Sequence, residues 1–508
     1  MTGEVRSAPA DVPAWRLLAL HLGLPLLAGA LCVAGFAPFY IWPAPLIALA
    51  LLFAVWQRSG SPRQALLSGF AFGLGYFLCG VSWVFVSMHT YGEMPAVMAG
   101  LATFAFCAYL AAFPAFAGWI AVRLAPVRGS MARLAAAAAA FTLTEWIRGW
   151  FLTGFPWLAI GTSQVPDSPL AGYAPLVGTY GVTLAACALS ALVASMRPRA
   201  VLGYAALLLV GLPLRHVDWT HPAGPPVKVA LLQGNIPQQL KWEEAIRTAT
   251  LDAYRDMIFA SDAHVVVLPE AAVPAFFDQL PPGYVASLRA QAAAKGQDIL
   301  IGTPERIPPG RNADDTKFYN SLLRLGPDTA VPAYRKHHLV PFGEFIPPGF
   351  RWFVEAMRIP MGDFDRGKPD QPPLPAGGIR WGVAICYEDI FGEELIRQLP
   401  SAQAFVVVSN DAWFGESLAA DQHLQSSQAR ALETGRWVVR ATNTGASAAI
   451  DPRGRVQSRL APFTAATLGA EVTPRDGLTP YARLGNAPAV LLALGLLVVA
   501  RGLFRRAA

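Results

Sequence analysis

Three ionisable residues stand where apolar, strand-like segments end in the second half of the chain. They are Glu270, Lys336 and Cys386, which follow segments 264–269, 331–335 and 381–385. Catalytic side chains commonly occupy such strand ends. Cysteine is a strong nucleophile, and a nearby base or cation can convert more of it to thiolate. The sequence therefore predicts a nucleophile at Cys386, and a buried structural cysteine is the alternative.

The composition indicates a chain with two kinds of domain. The 508 residues are 54% hydrophobic and 15% charged, with a mean hydropathy of +0.38. Such a chain is too apolar for an ordinary soluble enzyme and too mixed for a bundle of membrane helices alone. Charged residues are sparse in 12–214, frequent in 215–484 and absent from 484–500. We therefore expect a membrane domain joined to a polar domain.

Eight apolar runs each approach the roughly 20 residues that a helix needs to cross a bilayer. They cover residues 17–40, 41–56, 65–88, 95–122, 132–150, 174–196, 201–214 and 487–504. The first run continues into a second one instead of ending at a cleavage site, so we expect a retained helix and not a signal peptide. The predicted domains are 1–214 with seven transmembrane helices, 215–484, and 485–508 with the eighth helix and a cytoplasmic tail.

The arginines that flank the apolar runs predict the orientation. With a cytoplasmic N-terminus, only Arg148 and Arg215 lie at outer ends of the spans. The arginines at the inner ends are Arg6, Arg16, Arg58, Arg63, Arg123, Arg128, Arg133, Arg197, Arg199, Arg501, Arg505 and Arg506. By the positive-inside rule, both termini are then cytoplasmic and residues 216–486 lie outside. This pattern indicates a multi-pass membrane protein with an exported domain. Arginines that face anionic lipid also explain the net charge of +6, so we expect no nucleic-acid partner.

The cysteines agree with this division. Cys32, Cys79, Cys107 and Cys187 fall inside the predicted spans, whereas Cys386 alone lies in the exported domain. No disulfide can form within that domain. A lone cysteine in an oxidising compartment favours a chemical role.

The exported domain alternates strand-like and helix-like segments. Strands are predicted at 227–233, 264–268, 298–302, 319–325, 331–335, 381–385, 404–409, 437–441 and 446–450, and helices at 243–261, 284–295 and 419–434. This alternation predicts one α+β or α/β sandwich with buried sheets. His337 and His338 are adjacent on a strand and would point to opposite faces, so packing is favoured over a metal site.

Glu145 and Arg148 are ionisable residues inside an apolar run. They are three residues apart, so they can pair on one helix face near its outer end. The pair is either purely structural or helps to receive a lipid head group.

The order and spacing of several motifs carry a resemblance to a known family. Glu270, Lys336 and Cys386 resemble the Glu-Lys-Cys constellation of the nitrilase (carbon-nitrogen hydrolase) superfamily. The match extends through segments 36–39, 233–237, 339–344 and 410–415. Together with eight spans, these motifs are similar to the apolipoprotein N-acyltransferase family. The resemblance implies an exported α-β-β-α sandwich on a polytopic helical membrane domain.

The resemblance also implies an activity. Such an enzyme moves an acyl chain from a phospholipid, typically phosphatidylethanolamine, to the α-amino group of an S-diacylglyceryl-cysteine apolipoprotein. Glu270 would act as base on the Cys386 thiol, which requires that partial burial raise the pKa of the carboxyl group. Lys336 and the backbone N–H of Tyr387 would stabilise the oxyanion. A thioester acyl-enzyme and ping-pong kinetics follow, and no metal or nucleotide cofactor is needed. We expect a monomer.

Other candidates have supporting roles. Glu344 and Glu388 hold Lys336 or Glu270 in place, or are simply satisfied buried acids. Possible supporting or substrate-contact residues are Trp242, Asn320 and Tyr387. Segment 350–357, which includes Trp352 and Phe353, is rich in aromatic and apolar residues. It either dips into the membrane interface as a lid or packs against the sandwich.

Two alternatives remain open. The first is a membrane-anchored amidase or nitrilase that releases its acyl group to water, for which the same three residues would serve. Eight spans are more than an anchor needs. The second is a transporter with an accessory sensor domain, which would require ionisable residues in the middle of spans.

Overall fold

The first part of the protein is helical. The computed structural model describes residues 18–241, 243–309, 315–351 and 363–507. Eight helices precede the first strand: α1 (Ala19–Gly35), α2 (Pro43–Arg58), α3 (Pro62–Gly80), α4 (Val84–Tyr91), α5 (Ala96–Leu124), α6 (Met131–Arg148), α7 (Ala174–Ala194) and α8 (Ala200–Leu214). Helices suit these apolar runs because each satisfies its backbone polar groups internally.

The second part contains fourteen strands and five short or medium helices. The strands are β1 (His221–Pro222), β2 (Val227–Gln233), β3 (Val265–Val267), β4 (Asp298–Ile307), β5 (Lys317–Leu325), β6 (Ala333–Arg335), β7 (Leu374–Ala376), β8 (Ile379–Ile385), β9 (Ala404–Ser409), β10 (Val438–Thr442), β11 (Ala448–Ile450), β12 (Val456–Arg459), β13 (Ala466–Val472) and β14 (Arg475–Asp476). The helices are α9 (Glu244–Ala260), α10 (Pro282–Lys295), α11 (Gly392–Leu395), α12 (Ala419–Thr434) and α13 (Pro480–Leu484), and α14 (Ala487–Ala507) ends the chain. These counts refer to the described residues.

Two six-stranded sheets pack face to face. Their strand orders are β13-β2-β3-β4-β5-β6 and β12-β11-β10-β9-β8-β7. Apolar side chains of β2, β3, β8, β9 and β10 form the core between the sheets. The outer face of the first sheet packs on α9 and α10, and that of the second packs on α12. Since both faces of the central strands are buried, these strands are apolar throughout. The predicted α-β-β-α sandwich is confirmed.

Helix α12 also joins the sandwich to the helical part. Trp157 donates its indole N–H to Gln422 Oε1 at 2.7 Å. Gln425 accepts a hydrogen bond from the backbone N–H of Ala37 at 2.9 Å and donates one to the carbonyl of Val165 at 3.0 Å. Apolar residues of α12 belong to the same core cluster as the membrane helices. Gln425 thus satisfies loop backbone groups that would otherwise be buried without partners, and Gln422 does the same for the indole of Trp157.

The predicted count of eight membrane spans is not confirmed. A helix lies in each of the eight predicted runs, but among the described residues only Ala96–Leu124 and Pro169–Ala194 are long and apolar enough to cross a membrane. Helices α3 and α4 would add a third span if the pair, bent by 57°, is counted as one. Helices α1, α2 and α8 are apolar but have only 10–17 residues, and so does the stretch Ala487–Gly502 of α14. The apolar runs that were predicted as spans therefore include breaks and turns, so the helices within them are shorter than the runs.

All nine predicted strands of the sandwich are present, but three of the four edge strands of the two large sheets were missed. Strands β2 and β9 and helix α12 have the predicted bounds. Strands β7, β12 and β13 were not predicted. Strand β13 pairs antiparallel with β2 along seven residues, and its burial alternates between half-buried and exposed positions. Its small and polar residues lack the apolar run on which the other predictions rested.

Gly302 places β4 against the turn that carries Glu270. A methyl group at Gly302 would overlap the backbone carbonyl of Pro269 and lie 2.9 Å from the Cα atom of Glu270. Gly469 of β13, by contrast, has open space where a side chain would stand. The close approach of β4 to this turn therefore requires glycine at position 302.

We expect Gly302→Ala to lower the free energy of unfolding by about 1–3 kcal/mol, because the added methyl group overpacks a buried site. Gly469→Ala is the matched control and should leave stability unchanged or slightly raised. The measurement is the thermal unfolding midpoint of both variants in one detergent. Equal midpoints for the two variants would contradict the close packing at Gly302.

Candidate active site

Cys386 lies at a sharp turn between a strand and a helical segment, as the sequence predicted. Strand β8 ends at Ile385, and a single 3₁₀ segment follows from Cys386 to Ile390. Cys386 has a φ of +54°, a left-handed conformation that is uncommon for a residue with a side chain. Such backbone geometry typically costs about 1–3 kcal/mol and clusters at functional sites. The half-buried thiol packs both on the core between the sheets and on the cluster of the membrane helices.

Glu270 is held by three donors. It follows β3, and its side chain is buried. Its Oε1 atom accepts hydrogen bonds from Asn320 Nδ2 at 2.7 Å and Lys336 Nζ at 3.3 Å. Its Oε2 atom accepts one from the backbone N–H of Asn410 at 2.9 Å. Three donors to one carboxylate favour its ionised form.

Lys336 lies between two carboxylates. Its amino group is 3.3 Å from Glu270 Oε1 and 2.9 Å from Glu344 Oε2, and the residue is 1% exposed. Asn320 bridges the same two acids, because its amide also donates to Glu344 Oε1 at 2.8 Å. Burial opposes the charge on Lys336, but the two acids outweigh it and raise its pKa well above the usual value. Lys336 is therefore ionised.

The electrostatics of Glu270 differ from the expectation. Burial alone would raise the pKa of its carboxyl group, as the proposed base role required. The charge of Lys336 and the hydrogen bonds from Asn320 and Asn410 outweigh burial and lower that pKa. Burial and the negative charge of Glu270 raise the pKa of the Cys386 thiol well above its usual value. The resting site thus contains a carboxylate and a neutral thiol.

Glu388 fixes the turn at Cys386 to the segment that follows β6. Its carboxylate accepts hydrogen bonds from the backbone N–H groups of Ile385 at 2.8 Å, His337 at 2.7 Å and His338 at 3.1 Å. Burial raises its pKa to about 7. Glu388 therefore binds the backbone next to Lys336, and among the described residues it forms no hydrogen bond with Glu270. Glu344, by contrast, binds the amino group of Lys336 directly.

Tyr387 points toward the helical part of the protein. Its hydroxyl group donates to the carbonyl of Gly154 at 2.9 Å, and its ring stacks on Phe155 at a centroid distance of 6.3 Å. The ring also contacts Phe391 edge-on at 5.1 Å. The side chain thus connects the Cys386 turn to the loop after α6.

Glu145 and Arg148 are buried at the end of α6, 4% and 2% exposed, with 3.6 Å between their charged groups. Glu145 accepts hydrogen bonds from the backbone of Ile160 at 3.0 Å and the hydroxyl of Thr183 at 2.7 Å. Arg148 donates to the carbonyls of Trp157, at 2.8 Å, and of Phe155. These contacts favour the structural alternative over a head-group site.

Some predicted residues lie outside the described residues, namely Trp242, Trp352 and Phe353.

The two histidines that raised the question of a metal have separate partners. The ring of His337 binds the carbonyl of Gly367 at 2.9 Å, and that of His338 binds Glu394 at 2.9 Å.

A charged cluster beneath Cys386 was missed by the sequence analysis. His423 of α12 contacts Asp389 at 2.8 Å, Asp411 at 3.1 Å and the carbonyl oxygen of Cys386 at 3.2 Å. Arg440 of β10 pairs with both aspartates at 3.0 and 2.8 Å. The two carboxylates outweigh burial and the charge of Arg440 and raise the pKa of His423 to about 9. An arginine inside an otherwise apolar strand was the signal that could have revealed this cluster.

Lys241 is a second missed residue. It is 1% exposed, and its amino group donates to the backbone carbonyl of Glu270 at 3.4 Å. Burial lowers its pKa to about 8. The backbone of Glu270 therefore contacts an additional buried amine.

Two family models match the chain. Residues 28–192 match the apolipoprotein N-acyltransferase N-terminal domain, and residues 228–478 match carbon-nitrogen hydrolase. The apolipoprotein N-acyltransferase of Nitrosomonas europaea is 47% identical over 94% of this chain and 95% of its own length. Those of Ralstonia nicotianae and Chromobacterium violaceum are each 45% identical, over 96% and 97% of this chain and 95% and 96% of their own lengths. The chain belongs to the apolipoprotein N-acyltransferase family.

Proposed function

We propose that the protein transfers an acyl chain from a phospholipid to the N-terminal α-amino group of an S-diacylglyceryl-cysteine apolipoprotein. The acyl group would pass through a thioester on Cys386, with phosphatidylethanolamine as donor. The observation that carries the proposal is the half-buried thiol of Cys386 at the junction of the sandwich core and the membrane cluster. There a lipid ester could reach the buried charge cluster without leaving an apolar environment.

In the first half-reaction, Glu270 takes the thiol proton as the Cys386 sulfur attacks the ester carbonyl. The raised pKa of the thiol and the lowered pKa of Glu270 mean that little thiolate exists beforehand. Proton transfer therefore accompanies attack. Lys336 and the backbone N–H of Tyr387 stabilise the oxyanion, each donor contributing about 3 kcal/mol. The C–O bond then breaks, Glu270 returns its proton to the leaving oxygen, and lysophospholipid departs.

In the second half-reaction, the lipoprotein amine attacks the thioester carbonyl. Glu270 takes a proton from the amine, the C–S bond breaks, and the proton passes to the Cys386 sulfur. The products are an amide and the free thiol, so the reaction is ping-pong. Conversion of a thioester to an amide is favourable, and the scheme requires no nucleotide or metal.

Asn320, Glu344 and Glu388 act as positioning residues in this scheme. Asn320 and Glu344 hold Lys336 and Glu270 at hydrogen-bonding distance from each other. Glu388 holds the Cys386 turn against the segment that carries Lys336. The buried Arg440–His423 cluster supports the same turn from below.

We place the sandwich, residues 215–484, on the periplasmic face of the inner membrane, with both termini in the cytoplasm. Residues 1–214 and 485–508 would contribute eight spans. The arginine distribution supports this topology. A helix such as α2, at about 1.5 Å per residue, is shorter than a bilayer core of about 30 Å, so adjoining turns would complete the span.

Exposed aromatic side chains near the site fit an interfacial lid. Phe342 and Phe350 are 39% and 46% exposed, and their rings meet edge-on at 5.4 Å. Phe350 begins the segment in which Trp352 and Phe353 were predicted to enter the interface. The lid itself stays a prediction, because Trp352 and Phe353 lie outside the described residues.

An acyl-enzyme should form on incubation of the purified protein with phosphatidylethanolamine. Intact-mass measurement should show a gain of one fatty-acyl group on the wild type and none on Cys386→Ala, which lacks the nucleophile. Substitution of Cys187, a buried cysteine of α7, by alanine is the matched control and should keep the adduct. An adduct on Cys386→Ala, or none on the wild type, would refute the thioester.

The pH dependence of kcat/KM tests the role of Glu270. Its carboxylate is the reactive form, so activity should fall at acid pH as Glu270 is protonated below its usual pKa. Asn320→Ala removes a donor to that carboxylate, which raises the pKa and should move the acid limb upward by about one pH unit.

The control for this measurement is Ser321→Ala. The hydroxyl group of Ser321 donates to Glu305 at 3.1 Å and not to Glu270. Its acid limb should coincide with that of the wild type. An unshifted limb in Asn320→Ala would show that the ionisation of Glu270 does not limit the rate.

A further inference from the structure

A cavity of about 180 Å³ lies between the helical part and the sandwich. Its walls come from the end of α6, the turn before α14 and the segment that follows the Cys386 turn. Glu270, Lys336 and Cys386 do not line it. The cavity is therefore separate from the proposed reaction site.

Charges of both signs stand at the mouth of the cavity. Glu393 and Arg397 are exposed, and neither forms an ion pair within the part of the chain that the structure describes. Glu393 accepts a hydrogen bond from the backbone N–H of Asn486 at 3.0 Å, which leaves its second oxygen available. One anion and one cation at a single mouth complement a ligand that carries both charges.

Among the described residues, two buried polar atoms of the wall residues have no hydrogen-bond partner. The guanidinium of Arg430 binds the carbonyl of Ile390 at 2.9 Å and Glu433 at 2.8 Å, but its Nε–H is unpaired. The Oδ1 atom of Asn486 is also unpaired, and both Arg430 and Asn486 are 5% exposed. Buried polar groups normally have hydrogen-bond partners. Polar side chains therefore form part of the inner wall, although neither of these two atoms is exposed to the cavity.

The position of the cavity indicates that its occupant comes from the bilayer. Trp146 and Trp150, which line it, pack edge-on at 5.6 Å at the end of α6. Tryptophan is enriched at membrane–water interfaces. Helices α6 and α14 pack together below this level and expose leucine and valine side chains of α14. A diacyl chain could lie along this surface while its head group enters the cavity.

We propose that this cavity binds the head group of a phospholipid with a primary amine, as a resident lipid distinct from the acyl donor. The phosphate accepts hydrogen bonds from Arg397, and the ammonium group donates to Glu393. The bound lipid connects the segment after Cys386 to the outer ends of α6 and α14. This inference goes beyond the acyl-transfer reaction and does not depend on it.

The test uses Cys386→Ala protein in detergent, so that bound lipid is not consumed, and phosphatidylethanolamine as probe. Native mass spectrometry counts the bound lipid molecules as a function of lipid concentration. When Glu393→Gln and Arg397→Gln are introduced into this Cys386→Ala parent, one bound phosphatidylethanolamine molecule should be lost or its Kd should weaken at least tenfold. Arg397→Gln alone should weaken the same Kd. Because this position is exposed, the single variant keeps the test valid even if the double variant does not fold.

The matched control carries Asp278→Asn and Arg306→Gln, which neutralise an exposed pair at 2.6 Å elsewhere on the sandwich. It should bind as many molecules as the parent. Glu393→Gln alone should weaken the Kd of phosphatidylethanolamine and leave unchanged that of phosphatidylglycerol, which lacks the amine. Equal binding of phosphatidylethanolamine by parent and cavity variants would overturn the proposal. Equally tight binding of soluble glycerophosphoethanolamine would overturn the bilayer origin of the ligand.

Discussion

The buried ammonium group of Lys336 between two carboxylates is the interaction on which the rest of the site depends. One buried cation holds Glu270 and Glu344 together, and Asn320 bridges the same acids. Removing Lys336 would leave two buried carboxylates without their cation, which is far more costly than breaking an exposed ion pair. The same cation lowers the pKa of Glu270 and thereby keeps the proposed base ionised beside a neutral thiol. The cluster therefore sets both the geometry and the protonation state from which attack would begin.

The second constraint is the joint between the sandwich and the helices. Helix α12 carries apolar residues toward both sides and glutamines toward loops of the membrane part. Tyr387, next to the proposed nucleophile, is bound to the loop after α6. The thiol is thus fixed relative to the membrane helices by contacts on either side of it. This arrangement would bring a lipid ester to the thiol while its acyl chains stay in an apolar environment.

Much of this arrangement could be predicted from local sequence. Apolar strands that end in Glu270, Lys336 and Cys386 revealed both the strands and the candidate site, because burial on two faces makes such strands apolar throughout. The partners of His423 and Arg440 could not be predicted, since they are brought together from separate elements by tertiary packing. The pKa of Glu270 was expected to rise with burial, and the expectation failed because the number of nearby donors is a property of the fold. The prediction of span lengths failed for another reason, because hydropathy does not show where an apolar run bends. The run that contains α3 and α4 bends between these two helices.

The most direct test of the central claim is the fate of the acyl group on Cys386. Acyl-enzyme prepared with labelled phosphatidylethanolamine would be isolated and mixed with a diacylated lipopeptide, with the same lipopeptide blocked at its amine, or with buffer alone. The account predicts rapid discharge only with the free amine, and one triacylated lipopeptide for each acyl-enzyme consumed. Equal discharge rates in all three mixtures, with free fatty acid as the product, would contradict it and identify a hydrolase.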